Sequence, residues 1–205
     1  MRKRFDKVGV LGHSEGGTIA LMMAEEGSPD FIVTLAAMAA SGKETLMRQN
    51  RASMASMGLS QDVLDTCCAV VQRAFERLAE GKKVEQLSFD GVPTELKPVF
   101  ESSIKQCDTA YLRYLLNVDV SKSLDKVKCP VLALNGTKDT QVDCASNIQV
   151  LESGLINSRH EIKKFEGLNH LFQHCTTGSV LEYQQIEETI APEVLQAIIG
   201  WLKTL

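Results

Sequence analysis

The sequence predicts an α/β fold, a parallel sheet flanked by helices, into which a long all-helical segment is inserted. Three observations carry this. Short apolar runs without polar alternation recur at Val8–Leu11, Phe31–Leu35 and Pro130–Leu134, as expected of strands buried on both faces of a parallel sheet. The first two flank a glycine-rich turn and a helical stretch, which makes a strand–helix–strand unit with a right-handed crossover. From Lys43 to about Asp119 no strand-like run occurs, and apolar residues recur at helical spacing instead.

Taken in order, the run Val8–Leu11 breaks at Gly12 and again at Gly16-Gly17. Thr18 to Glu26 then reads as a helix with Ile19, Leu21, Met22 and Met23 apolar and Gly27 as its stop. Phe31–Leu35 is the second strand. In the inserted segment, Leu64, Cys67, Cys68, Val71, Phe75 and Leu78 mark an amphipathic helix opened by Ser60 and closed at Gly81. A methionine-rich stretch (Met47, Met54, Met57) precedes it, and a second helical stretch runs through Leu112, Leu115 and Leu116. The strand pattern resumes at 131–134 and ends at Asn135-Gly136. A helix from about Ala145 to Ser153, an outer strand Glu161–Phe165 and a last helix Pro192–Leu202 follow. That last helix is expected to pack Val194, Leu195, Ile198, Ile199 and Trp201. The domains are therefore 1–42 with 120–205 as the sheet-bearing core and 43–119 as the helical insertion.

Composition narrows the function classes. The 205 residues carry 22 Lys+Arg against 26 Asp+Glu, are 44% hydrophobic and 23% charged, and so match an ordinary globular chain. A formal charge of −4 without a basic stripe argues against nucleic-acid or anionic-membrane partners. No apolar run approaches the ~20 residues needed to span a bilayer. Met1-Arg2-Lys3-Arg4 resembles the charged end of a signal peptide, but the apolar run after it is far shorter than the ~7–15 residues of a secretory segment. A cytoplasmic location is expected, a signal on a longer precursor being the alternative. The six cysteines include no C-x-x-C pair and sit mostly among apolar neighbours, which reads as reduced, buried thiols.

The sharpest motif is Gly12-His13-Ser14-Glu15-Gly16-Gly17. A serine nucleophile on a strand-to-helix turn needs that turn to be very tight, and glycines two before and two after it relieve the clash. The helix that follows aims its N–H groups and positive dipole end at a reacting carbonyl oxygen. A phosphate cradle would want G-x-G-x-x-G or a G-K-[ST] ending, and neither is present. Such a serine needs a base and an orienting acid. Asp139 follows strand 131–134 by a short loop and His170 follows strand 161–165, both at C-terminal strand ends. Asp143 competes with Asp139, with helix capping as its ordinary role. His174 could share a helix face with His170, but no third ligand at matching spacing suggests zinc. His13 and His160 read as structural.

These segments, with Cys129 to Val142 and Gly167 to Gln173, resemble the α/β-hydrolase superfamily. Within it they are similar to the bacterial esterases related to prolyl-oligopeptidase-type and dienelactone-type hydrolases. The resemblance extends through the tail Ile186 to Trp201 and covers nearly the whole chain. It implies Ser14 as nucleophile, Asp139 as acid, His170 as base and the backbone N–H of Glu15 as one oxyanion donor. It also likens 43–119 to a helical cap over the site. It implies no cofactor and no metal. The family places several strands and a second oxyanion loop before the elbow, whereas only a few residues precede it here. A fragment of a longer protein, or a start set too late, is therefore expected, with its N-terminal strands missing. Self-association through the exposed strand edge is the corresponding expectation. The implied activity is hydrolysis of small carboxylic esters through an acyl-enzyme. A peptidase of the same fold, or a weakly active remnant acting as an interaction module, is the alternative.

Overall fold

A computed structural model describes residues 4–85 and 87–205; the charged start Met1-Arg2-Lys3 lies outside them. Its elements run β1 (Gly9–His13), α1 (Glu15–Glu25), β2 (Phe31–Leu35), α2 (Gly42–Ala55), α3 (Gln61–Ala79), α4 (Lys97–Gln106) and α5 (Ala110–Leu115). They continue with β3 (Val131–Gly136), α6 (Cys144–Gly154), β4 (His160–Phe165) and α7 (Pro192–Leu202). The chain divides into two compact units. One runs through Ala40 and resumes at Asp119, and Ser41–Val118 forms the other. No helix among the described residues is long and apolar enough to cross a membrane.

The first unit holds a four-stranded sheet in the order β1-β2-β3-β4, with every pair parallel. Alternation along the strands divides the side chains between two faces. Val33, Leu35, Leu132 and Leu134 point to the face on which Val194, Ile198 and Trp201 of α7 pack. The alternate positions of β3 (Val131, Ala133, Asn135) point the other way, toward α6, whose Asn147 reaches Asn135. Five to six residues per strand suffice because both faces are covered where β2 and β3 run.

Three local expectations are corrected. β1 is not buried on both faces: Leu11 is 57% exposed. β1 is the edge of the described sheet, and Leu11, in register with Val33, points away from the face that α1 covers. Helix α1 begins at Glu15 rather than Thr18, because the turn at Ser14 is tight enough to start the helix inside the glycine motif. On α7, Leu195 and Ile199 are about half exposed, and only Val194, Ile198 and Trp201 face the core. A helix that is apolar on most sides buries only the stripe its neighbours reach.

The second unit is all-helical and has its own core. Ser60 precedes α3, and Gly81 past its end adopts φ +77°, a left-handed stop open to glycine. The inward stripe Leu64, Cys67, Val71, Phe75 and Leu78 packs with Met54, Val84, Val92, Ile104 and Leu116. Each fully buried large apolar side chain contributes about 1.5–3 kcal/mol. Arg113 ties the α3 end to α5, pairing with Asp108 and donating to the carbonyls of Leu78 and Lys82. Met54, Phe75 and Leu78 are thus consumed in this core, while Met57 is exposed. The stretch at Leu112–Leu116 is short, and α4 before it is a separate helix opened by Pro98.

Candidate active site

The C-terminal ends of β1, β2 and β3 converge on the site. Ser14 stands between β1 and α1 with φ 54° and ψ −121°, a left-handed conformation that side chains adopt at a cost of about 1–3 kcal/mol. Its own N–H donates to the Leu35 carbonyl (2.7 Å), which pins the turn to the end of β2. Two other described non-glycine residues have positive φ, Ala36 and Phe172. One follows β2 and the other follows His170. Backbone strain is therefore concentrated where the strand ends meet, as is common at functional sites.

Gly12 and Gly16 differ in how the turn uses them. A Cβ on Gly12 would lie 2.0 Å from the Gly16 carbonyl oxygen, so only glycine fits there. A Cβ on Gly16 would meet nothing within 4 Å. The clash expected at Gly16 belongs instead to Gly17, whose Cβ would lie 2.7 Å from that of Ala37. Glu15 is the first residue of α1, at the positive end of the helix dipole.

Asp139 and His170 meet. His170 Nδ1 lies 2.8 Å from Asp139 Oδ2, and both residues are buried. The other carboxylate oxygen, Oδ1, accepts from the backbone N–H groups of Gln141 and Val142 at 2.8 Å each. Asn135 Nδ2 donates to Oδ2 at 3.4 Å. Asp143 is elsewhere engaged, accepting from Ser146 N (2.9 Å) as the N-cap of α6. Among the described residues the hydrogen bonds of His170 go to Asp139 and His13, and none joins it to Ser14 Oγ; such contacts are often long before substrate arrives. The elbow and the His170 loop nevertheless touch. His13 Nε2 lies 2.8 Å from the His170 carbonyl, and the two rings are 4.8 Å apart.

His174 does not share a helix face with His170. The segment is a loop closed by an antiparallel bridge between Leu168 and His174. Both ring nitrogens of His174 face carboxylates, Nδ1 at 3.0 Å from Glu188 and Nε2 at 3.2 Å from Glu193. No group of three His, Cys, Asp or Glu among the described residues is arranged to hold a metal ion. Two thiols close in sequence to the Asp139 and His170 loops are poor nucleophiles. Burial pushes Cys144 up to about 11 and raises Cys175 above its ordinary value, so both are thiols rather than thiolates. The acid loop is fastened from outside, too. Gln141 Nε2 donates to the Tyr183 hydroxyl (2.9 Å), and Lys138 Nζ to the Thr176 carbonyl (2.8 Å). Sequence reasoning missed Asn135 and Gln141; a polar Asn closing an otherwise apolar strand run was the available signal.

A family model described as X-Pro dipeptidyl-peptidase (S15 family) matches residues 3–165. The chain belongs to that family. The S15 match takes in Ser14 and Asp139 and stops short of His170. With its parallel sheet and flanking helices, this S15-family chain has an α/β-hydrolase-type fold. No curated protein matches it. Solved structures similar to it include a monoacylglycerol lipase from Paleococcus ferrophilus (20% identity, TM-score 0.46, 96% of this chain and 68% of that one). An esterase from Rhodococcus sp. ECU1013 is similar at 19% identity and TM-score 0.45, over 96% of this chain and 65% of that one. A carboxylesterase of the thaumarchaeon Nitrososphaera gargenis is similar at 17% and 0.49, over 96% and 64%. The S15-family chain thus spans about two thirds of the length of these structures.

Proposed function

We propose that this chain is a serine hydrolase that cleaves small carboxylic esters through an acyl-enzyme intermediate. The observation that carries the reading is the buried 2.8 Å contact between Asp139 and His170 at the strand ends beside the strained Ser14 turn. With His170 Nδ1 committed to Asp139, proton transfer falls to Nε2. Ser14 Oγ adds to the ester carbonyl while its proton passes to Nε2, and Asp139 stabilises the imidazolium. The tetrahedral oxyanion is met by the dipole end of α1 and the backbone N–H of Glu15. Collapse expels the alcohol, which takes the proton from Nε2. Water then repeats the sequence on the acyl-Ser14, releasing the acid and restoring the free hydroxyl. No cofactor enters this scheme.

The family description favours a second reading, a peptidase acting on the same atoms with an amine as leaving group. Comparing p-nitrophenyl acetate with a dipeptidyl p-nitroanilide ending in proline separates the two. Labelling with a fluorophosphonate probe tests the shared core of both. Covalent label on Ser14 is expected, and label that persists in Ser14→Ala would place the nucleophile elsewhere.

A further inference from the structure

A chain of buried hydrogen bonds leads from the nucleophile helix to the orienting acid, and the mechanism above does not use it. It starts at Thr18, one turn beyond Ser14 on α1. The Thr18 hydroxyl donates to the Met38 carbonyl (3.2 Å) and accepts from the Met38 N–H (3.0 Å). The next residue, Ala39, donates its N–H to Asn147 Oδ1 (2.8 Å) on α6. Asn147 Nδ2 donates to Asn135 Oδ1 (2.7 Å). Asn135 Nδ2 in turn donates to Asp139 Oδ2 and to the Val142 carbonyl (3.3 Å). Asp139 Oδ2 is the oxygen that faces His170.

Every side chain on this path is buried, Asn135 at 1% and Asn147 at 2% exposure. Among the described residues no buried side-chain nitrogen or oxygen lacks a partner. Two amides in a core are costly unless each donor and acceptor is used. Here each amide is used on both its oxygen and its nitrogen. Neither contact is local. Asn147 lies 12 residues from Asn135 and 108 from Ala39. Ala39 belongs to a segment that is itself held at a strained turn, Ala36 at φ 49°.

We infer that Asn147 and Asn135 are positioning residues. Through the 36–40 segment and Thr18, they hold the Asp139 carboxylate in register with the helix that carries Ser14. The inference rests on the serine-hydrolase reading for its meaning, but the tie itself is a geometric claim. The side chain of Asn147 hydrogen-bonds Ala39 and Asn135 rather than Asp139 or His170. It acts through Asn135, whose amide orientation it sets: with Oδ1 occupied by Asn147, Nδ2 must face the carboxylate. Losing Asn147 frees the Asn135 amide to turn, and the carboxylate then loses one of the groups that fix its rotamer.

The test uses the full chain and two readouts. One is the proton NMR signal of His170 Nδ1–H, assigned by its loss in His170→Gln. The other is fluorophosphonate labelling, separated into probe affinity and maximal rate. Asn147→Leu keeps the branched shape without the polar atoms, and Asn147→Ser leaves room for water and guards against a failure to fold. Both are expected to shift the Nδ1–H signal or lose it to solvent exchange. Both should lower the maximal labelling rate by about ten- to a hundredfold with affinity nearly unchanged, as small misplacements of catalytic groups do. Leu151→Ala, a core truncation on the same helix outside the path, is expected to lower stability and leave both readouts intact. Wild-type signals in the Asn147 variants, or equal loss in Leu151→Ala, overturn the tie. If label persists in Ser14→Ala, the hydrolase reading falls, while the NMR signal still decides the tie.

Discussion

The side chain of His13 reaches across to the backbone of His170: Nε2 lies 2.8 Å from that carbonyl oxygen, and the two imidazoles pack at 4.8 Å between centroids. The residue before the candidate nucleophile thus holds the loop that carries the candidate base. A carbonyl accepts here, so Nε2 of His13 is the protonated nitrogen. His13→Leu removes the donor and is expected to destabilise the chain by about 1 kcal/mol. It should also slow probe labelling of Ser14, read by intact-mass spectrometry. An unchanged rate would restrict His13 to packing.

The conformation of Ser14 separates chemistry from strain. Ser14→Ala keeps φ near 54° and is expected to abolish labelling with little change in melting temperature. Ser14→Gly should also be unlabelled yet melt above Ser14→Ala, because glycine adopts positive φ without the penalty. Equal melting temperatures would mean the turn relaxes in the variants.

The two aspartates of the acid loop make opposite expectations. Asp139→Asn removes the charge facing His170 and should lower kcat on the order of 10⁴-fold. Asp143→Asn preserves an equally good helix cap and should leave kcat unchanged, whereas Asp143→Ala should cost about 1 kcal/mol of stability. Steady-state kinetics and thermal melts on the three variants decide it.

The glycines of the elbow rank by what surrounds them. Gly12→Ala drives a methyl into the Gly16 carbonyl and should prevent folding of the turn. Gly16→Ala meets open space within α1 and should stabilise by about 0.5–1 kcal/mol through helix propensity. Circular dichroism melts would expose an inverted order.

Glu188 carries the acid-side pH dependence of the His174 loop. The His174 backbone N–H first, then its side chain, holds Glu188 below the ordinary carboxylate range. A carboxylate depressed on folding stabilises above its unfolded pKa, and that contribution is lost as pH falls through the folded value. Glu188→Gln should therefore lower the melting temperature at neutral pH, and the gap from wild type should close on acidification below the usual carboxylate range. A gap that is constant with pH would assign the effect to packing instead.

Much of this chain is legible in its amino-acid sequence alone. Apolar runs and glycines act over a few residues, so β1, β2, β3, α3 and α7 are readable from period and punctuation alone. The same locality marks Ser14 in its glycine motif and sets Asp139 and His170 after strand ends. What periodicity does not carry is which side of an element meets another. Leu195 and Ile199 read as core yet face outward, and Leu11 lies bare on an edge strand. Sequence assigned Asp139 as the acid and gave Asp143, four residues on, the role of helix cap; in the fold the first faces His170 and the second caps α6. Asn135 and Asn147 were invisible as a pair because a buried amide is defined by its partners, and theirs come from a distant helix and a backbone N–H 108 residues away. Local interactions are written in neighbouring residues; the pairing of buried polar groups exists only once the chain has closed upon itself.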